Sequence, residues 1–210
     1  DQMTWLKNVL EGARGKFIMV ILGHPFFAGG KDLAASHPGL SELRRLFREH
    51  DVRVIMAGDT HDFEYYRDQG IDQHFFVNGG GGAYLSIGTA LAWPAVPIKR
   101  IWAFYPNSVS LAEKIRTTMP LWKRPIWWWT MHANAWPFSP AWLSAAFDSN
   151  VAPFFQSFVE VQVRPSQGVV NIVVWGVHGP LSWGELQKSS SFDESDNGGG
   201  AVFTIPMRQR

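Results

Sequence analysis

The sequence predicts an α/β or α+β fold built around layered β-sheets. Amphipathic segments at helical spacing alternate with apolar runs of strand length, in the order helix, strand, helix, strand, strand. Apolar residues make up 46% of the 210 residues and charged residues 18%, which is enough for a sizeable core. This length fits one domain, or one domain with an added segment.

The first predicted helix and strand lie at the beginning of the chain. Residues 2–12 have apolar side chains at helical spacing and end at a glycine, which is typical of a short helix. Residues 17–22, Phe-Ile-Met-Val-Ile-Leu, are apolar without interruption. This run predicts a strand that is covered on both faces.

A second helix and two further strands follow. Leu40, Leu43, Leu46 and Phe47 form a helical stripe. Residues 52–57 predict a second buried strand, and residues 75–77 predict a third that ends at a run of four glycines. These elements indicate a sheet with helices packed against it.

Residues 91–147 differ in composition from the rest of the chain. Eight of the eleven tryptophans lie here among frequent prolines, which predicts an aromatic helix-and-loop insertion rather than a sheet element. Three interpretations remain open: a helical cap packed through its aromatic rings, a membrane-surface patch, or a substrate lid. The mixture of Trp with Lys and Arg at 121–129 is the reason for the membrane interpretation.

The last part of the chain predicts a hairpin and a tail. Residues 154–163 and 169–177 alternate between apolar and polar side chains on either side of Pro-Ser-Gln-Gly, so we expect 148–187 to close the core with a β-hairpin. Residues 188–210 begin with a polar, glycine-rich stretch and predict a mostly flexible tail.

Charge and cysteine content exclude several classes of function. The net charge is +1, from 19 Lys and Arg against 18 acids, so nothing indicates nucleic-acid binding. The chain has no cysteine, so a metal site would have to use His, Asp, Glu or Asn. The chain begins with Asp1 and not with Met, and no signal-peptide pattern precedes its first predicted helix. We therefore expect a cytoplasmic piece of a longer protein, and the Trp-rich segment leaves membrane association open.

Three polar side chains follow two of the predicted buried strands. His24 comes after the strand at 17–22, and Asp59 and His61 come after the strand at 52–57. The carboxyl ends of strands converge in open α/β sheets, and residues i and i+2 point the same way in extended backbone. Imidazole and carboxylate groups suit Zn²⁺, Mn²⁺ or Fe²⁺. Ordinary loop residues that make one hydrogen bond each are the alternative.

Four sequence blocks resemble a known family. Residues 20–25, Val-Ile-Leu-Gly-His-Pro, resemble the fourth block of the calcineurin-like metallophosphoesterases, and residues 56–62, Met-Ala-Gly-Asp-Thr-His-Asp, resemble the final Gly-His-x-His block. Asp1-Gln2 with Trp5-Leu6 is similar to the helix before the fourth block. Residues 79–85, Gly-Gly-Gly-Gly-Ala-Tyr-Leu, are similar to a glycine-rich stretch of bacterial members with Gly-Asp-x-His in the last block. The chain therefore resembles the C-terminal half of such an enzyme over residues 1–90.

The resemblance implies both a fold and an activity. The fold would be part of a four-layer α/β/β/α sandwich with mixed sheets. The activity would be hydrolysis of a phosphate mono- or diester by a hydroxide that two divalent metal ions (Mn, Zn or Fe) activate. His24 and His61 would be ligands, and Asp59 stands where the family usually has a histidine. A carboxylate there favours a harder metal such as Mn²⁺.

No Asp-x-His, Gly-Asp-x-x-Asp or Gly-Asn-His-Asp/Glu pattern, the family's earlier blocks, precedes the fourth block at residues 20–25 in this chain. The resemblance implies that the bridging carboxylate, the Asn ligand and the catalytic His would lie upstream, so no catalytic residue is assigned here. We expect the chain alone to be inactive, because three ligands spread over two metals form a weak site. The alternative is a non-catalytic scaffold, or a membrane- or protein-docking module, that retains the fold.

Lesser candidates surround these ligands. Asp62 is predicted either to hold a ligand histidine in place or to be an exposed loop acid. Gly80 and Gly81 are predicted to lie at the substrate rim, where their run forms either an anion-binding nest or a turn that needs positive φ.

Overall fold

The computed structural model describes residues 1–68, 70–81, 101–104, 120–125, 156–181 and 202–207. Two α-helices lie in these ranges, α1 (Gln2–Gly12) and α2 (Pro38–Glu49), together with two short 3₁₀ helices at Leu121–Lys123 and Pro165–Gln167. The strands are β1 (Ile18–Leu22), β2 (Phe27–Ala28), β3 (Lys31–Asp32), β4 (Val52–Ala57), β5 (Phe63–Asp68), β6 (Gln73–Asn78), β7 (Ile101–Phe104), β8 (Phe158–Arg164), β9 (Val169–Gly176), β10 (Gly179–Pro180) and β11 (Val202–Pro206).

The first sheet is mixed and has the strand order β1-β4-β6-β5-β7. Strands β1, β4 and β6 are parallel, and β5 runs antiparallel to both β6 and β7. Helix α2 lies between β1 and β4 in the chain, as parallel neighbours require a crossover connection. The consequence for function is that β1 and β4 both end at the same edge of the sheet.

The second sheet is antiparallel and has β9 at its centre. Strand β9 pairs with β8, β10 and β11, and Trp175 of β9 has a partner in both β8 and β10. The turn between β8 and β9 ends at Gly168, which has a φ of 65°. Glycine adopts this left-handed conformation without steric cost.

Two apolar clusters separate the described elements into three layers: the helices, the first sheet and the second sheet. The first lies between the helices and one face of the first sheet and contains Leu10, Phe26, Phe27, Ala34, Leu46, Phe47, Val52, Ile55, Tyr66, Phe75 and Val77. The second lies between the two sheets and contains Val54, Phe63, Tyr65, Phe76, Val170, Ile172, Val174, Phe203 and Ile205. Adjacent residues of one strand enter different clusters because side chains alternate across a sheet. The chain is thus a mixed α/β structure with stacked sheets.

Both predicted helices are present. Helix α1 covers residues 2–12, and the Asp1 side chain accepts a hydrogen bond of 2.9 Å from the Met3 amide at its beginning. Helix α2 begins earlier than the apolar stripe suggests, because Pro38 occupies its first turn and the His37 side chain accepts from the Leu40 amide.

The predicted strands are present with one correction. Strand β4 matches 52–57 and is buried, and the 75–77 strand extends to 73–78. The prediction that 17–22 is covered on both faces is wrong: β1 alternates, and Ile21 is 74% exposed. Strand β1 is the outermost strand of the first sheet. The second cluster packs against Phe17, which precedes β1, and against Met56 of β4, but not against Ile21.

Six strands were not expected from the sequence: the short β2, β3 and β10, and the longer β5, β7 and β11. Strand β5 lies directly after the predicted metal ligands, and β11 lies within the segment predicted as a mostly flexible tail. Strand β7 pairs with β5, so the expectation that 91–147 contributes no sheet element is wrong for residues 101–104. Most of 91–147 and residues 188–201 lie outside the described residues. The predicted hairpin at 154–177 is confirmed as β8 and β9.

None of the helices among the described residues is long and apolar enough to cross a lipid bilayer.

Candidate metal centre

His24 and Asp59 lie side by side at one edge of the first sheet. Leu22 at the end of β1 is paired with Ala57 at the end of β4, and each polar residue comes two positions after its strand end. The two loops therefore leave the sheet together, and His24 Nδ1 lies 3.1 Å from Asp59 Oδ2. The convergence predicted for these two side chains is present in the structure.

Both side chains of this pair are open to solvent. His24 is 81% exposed and Asp59 is 58% exposed. An ion pair between exposed groups contributes little to stability, about 0–1 kcal/mol, so folding alone does not explain this placement. An accessible imidazole nitrogen beside a carboxylate oxygen is an arrangement that Mn²⁺, Zn²⁺ or Fe²⁺ accepts as ligands. The pair therefore fits as part of a metal site.

His61 follows Asp59 by two residues and is half-buried. Within the residues that the structure describes, no three His, Cys, Asp or Glu side chains gather in a group suited to a metal ion. The structure thus brings two of the three predicted ligands into contact, and the assignment of His61 as a ligand stays a prediction.

Asp59 has an unusual backbone conformation. Its φ is 81°, in the left-handed region that side chains with a Cβ disfavour. Strain of this kind is concentrated at functional sites, where the surrounding structure holds a residue in a costly conformation to aim its side chain. Here the residue in this conformation carries the carboxylate that contacts His24.

Replacing Asp59 with glycine or alanine would measure this strain. Both variants lose the carboxylate, and only glycine adopts a φ of 81° freely. We expect Asp59→Gly to be more stable than Asp59→Ala by about 1 kcal/mol in urea unfolding, the reverse of the order at ordinary loop positions. An alanine variant as stable as the glycine variant would show that the conformation is not strained.

Asp62 is buried rather than on the surface. Its side chain is only 2% exposed, so the interpretation as an exposed loop acid is wrong. Burial raises the pKa of Asp62 from 3.8 to about 7. Whether Asp62 holds a ligand histidine in place stays a prediction.

Glu64 was not identified from the sequence as a site residue. It is fully buried on β5 and accepts hydrogen bonds from the Gly29 amide and the Tyr66 hydroxyl. Burial, followed by the nearby Asp62 carboxyl, raises the pKa of Glu64 well above its usual range. The signal available in the sequence is a single acid inside the aromatic run Phe63-Glu-Tyr-Tyr66, which predicts a buried carboxyl once β5 is recognised as a strand.

The glycine run begins where β6 passes the Asp59–His61 loop. A Cβ at Gly79 would lie 2.2 Å from the carbonyl oxygen of Thr60, and the backbone of Gly79 does not have a positive φ. Close approach, and not the predicted turn conformation, is therefore what requires glycine at 79. The Gly80 carbonyl accepts a hydrogen bond from the Ser157 amide, and Gly81 lies beside the Ser157 carbonyl. The predicted rim role of Gly80 and Gly81 stays open.

His74, for which no role was predicted from the sequence, is part of a buried polar group at the opposite end of the strands, where β6 begins. Its Nδ1 lies 2.8 Å from the Tyr65 hydroxyl, and its Nε2 lies 3.2 Å from Asp72 Oδ1. Burial lowers the pKa of His74 from 6.5 to about 4. Strand β6 begins next to this residue, so the group lies away from the candidate metal centre.

No family model and no curated protein matches this sequence. Among solved structures, the chain is similar to a purple acid phosphatase isolated from yellow lupin (Lupinus luteus) seeds, at 10% sequence identity and a TM-score of 0.49. The similarity covers 98% of this chain and 28% of that chain, so this chain spans just over a quarter of its length. A similarity at this level does not address activity.

Proposed function

We propose that this chain supplies part of the metal site of a metal-dependent phosphoesterase, which hydrolyses a phosphate mono- or diester. The observation that supports the proposal most directly is the contact between His24 and Asp59, 3.1 Å apart at the ends of two adjacent parallel strands. His61 is proposed as a third ligand because residues 56–62 resemble the final block of the phosphoesterase family, in which a ligand histidine stands at this position.

The chain's own residues have defined roles in this proposal. His24 and Asp59 present one nitrogen and one oxygen donor to the same solvent-filled space, and the strained backbone at Asp59 keeps the carboxylate there. Two divalent ions, when bound, supply the Lewis acidity that activates water and polarises a phosphate oxygen. We propose that the groups which complete the site lie outside this chain, so residues 1–210 alone are inactive.

Binding of Mn²⁺ to the isolated chain tests the ligand assignment. Even weak binding broadens the amide NMR signals of nearby residues, because Mn²⁺ is paramagnetic. We expect the signals around His24, Asp59 and His61 to broaden first. In His24→Ala and His61→Ala, we expect the Mn²⁺ concentration at half-broadening to rise roughly tenfold or more, since even residues that only support ligands contribute that much to metal affinity.

His178→Ala is the matched control for this titration, because His178 is an exposed histidine in the turn before β10. Its Mn²⁺ response is expected to equal that of the parent. Unchanged binding in both ligand variants would contradict the assignment. Robust hydrolysis of bis(p-nitrophenyl) phosphate by residues 1–210 with saturating Mn²⁺ would contradict the proposal that the chain alone is inactive.

A docking module is the second candidate function, and one observation favours it. Leu121 and Trp122 are 74% and 71% exposed, directly before Lys123 and Arg124. Apolar side chains beside basic ones suit the surface of an anionic membrane. Sedimentation of the chain with anionic vesicles, together with no Mn²⁺ broadening at His24 or Asp59, would favour this function over the phosphoesterase.

A further inference from the structure

A carboxyl group that is fully buried in the helix-side cluster connects two parts of the chain that are far apart in sequence. Glu64 Oε2 lies 3.0 Å from the Gly29 amide nitrogen and Oε1 lies 3.3 Å from it, across 35 residues. The Tyr66 hydroxyl donates a hydrogen bond to Glu64 and accepts one of 2.9 Å from the Gly30 amide. Two side chains of β5 thus bind two successive amides of one loop.

That loop is the one that begins at His24. It continues through the buried residues Pro25, Phe26 and Phe27 to the tight turn between β2 and β3. Gly29 and Gly30 have φ values of 55° and 76°, the conformation of a two-residue hairpin turn with positive φ at both positions. Successive left-handed glycines leave their amide hydrogens free for an acceptor, and here that acceptor pair is Glu64 and Tyr66.

The other end of the connection is the loop with the remaining candidate ligands. Strand β5 begins at Phe63, two residues after His61, so Glu64 and Tyr66 lie on the segment that follows Asp59 and His61. Their hydrogen bonds therefore tie the backbone after His24 to the backbone after His61. A buried carboxyl is costly, and a well-packed apolar residue is often as stabilising or more so, so stability alone does not explain Glu64.

We propose that Glu64 and Tyr66 are positioning residues, which hold the His24 loop in register with the Asp59–His61 loop so that the candidate ligands meet. This inference rests on the proposed function. In this role neither residue contacts a metal ion or the substrate. Both act through His24, whose position opposite Asp59 depends on the turn at Gly29 and Gly30.

Tyr66→Phe tests the positioning role, and Tyr65→Phe is its matched control. The two tyrosines are neighbours on β5, both are buried, and each has a hydrogen-bonded hydroxyl: Tyr66 toward the His24 loop, Tyr65 toward His74 in the other cluster. We expect Tyr66→Phe to raise the Mn²⁺ concentration at half-broadening roughly tenfold. Tyr65→Phe, with a comparable loss in Tm, is expected to leave that concentration unchanged.

A double-mutant cycle with His24→Ala separates positioning from a general loss of structure. If Tyr66 acts through His24, Tyr66→Phe has no further effect on Mn²⁺ binding once His24 is alanine. An equal effect in both backgrounds would overturn the inference, as would unchanged binding in Tyr66→Phe itself. Should Tyr66→Phe not fold, Glu64→Gln enters the same cycle with the same expected non-additivity. No broadening in the parent would overturn the proposed metal site, and the positioning role with it.

Discussion

Replacing Asp62 with asparagine is expected to make the protein more stable at pH 8 than the parent, while the two are about equally stable at pH 4. Burial raises the pKa of Asp62 from 3.8 to about 7. The folded state therefore binds this proton more tightly than the unfolded state does. A pKa shift of this size changes the free energy of unfolding of the parent, relative to the variant, by on the order of 4 kcal/mol between pH 4 and pH 8.

The sign follows from which state holds the proton. Below pH 3.8 Asp62 is protonated in both states, and its contribution to stability is fully present; it is lost as the pH rises through 7. Asparagine keeps the neutral shape and has no proton to lose, so the variant does not lose this stability. His74, whose pKa burial lowers to about 4, has the opposite effect in the parent, but it is present in both proteins and cancels in the comparison.

Urea unfolding at pH 4, 6 and 8 in the presence of EDTA measures this effect. Asp72→Asn is a control in which the effect on stability is expected to have the opposite sign. Burial tends to raise the pKa of Asp72, but Arg67, His74 and Arg53 together lower it below its usual value. Its ion pairs stabilise the protein at neutral pH, so Asp72→Asn is expected to be destabilising there. An Asp62→Asn variant whose stability relative to the parent is the same at pH 4 and pH 8 would contradict the burial of a titrating carboxyl.

Gly79→Ala is expected to destabilise the protein by about 3 kcal/mol or more, which is the upper range for overpacking. The added Cβ would lie 2.2 Å from the Thr60 carbonyl oxygen and 2.8 Å from its carbonyl carbon. Both are backbone atoms, so no side-chain rotation relieves the contact. Because Thr60 lies between Asp59 and His61, the same substitution is expected to displace the candidate ligands.

Gly58→Ala is the matched control for this substitution. Gly58 precedes Asp59 in the same loop, and a Cβ there would have no atom within 4 Å. We expect its stability to stay within about 1 kcal/mol of the parent, as for most surface changes. Urea unfolding gives both values, and NMR shift changes at Thr60 and His61 report the displacement. Equal stability of the two variants would show that β6 does not approach the loop this closely.

Several elements followed directly from local sequence patterns. Strand β4 is a short apolar run broken only by Arg53 and ended by Gly58, which favours a buried strand, and α2 has a regular apolar stripe, which favours a helix. Strand β5 was missed because its sequence, Phe-Glu-Tyr-Tyr-Arg-Asp, mixes charged and aromatic residues without alternation. It is buried nonetheless, since Glu64 and Asp68 have partners from elsewhere in the chain: the Gly29 amide and Arg48.

The candidate site was predictable to the extent that it depends on strand ends. His24, Asp59 and His61 were identified because each follows a strand pattern, and the contact between His24 and Asp59 then requires only that β1 and β4 be neighbours. That His61 does not join a group of three could not be inferred, because backbone torsions in a loop are not encoded by hydrophobic periodicity. The φ of 81° at Asp59 is one such torsion.

The amino-acid sequence by itself determined the two helices, the strands β4 and β6 and the kinds of donor atom available, since periodicity and composition are local properties. A site without cysteine had to rely on imidazole and oxygen donors. The tertiary structure alone decided that Glu64 meets Gly29 and that Gly79 meets Thr60, and it gave the contact between His24 and Asp59 its distance. These contacts join segments 19 to 35 residues apart, and the pairing of β1 with β4, of β4 with β6 and of β6 with β5 brings them together.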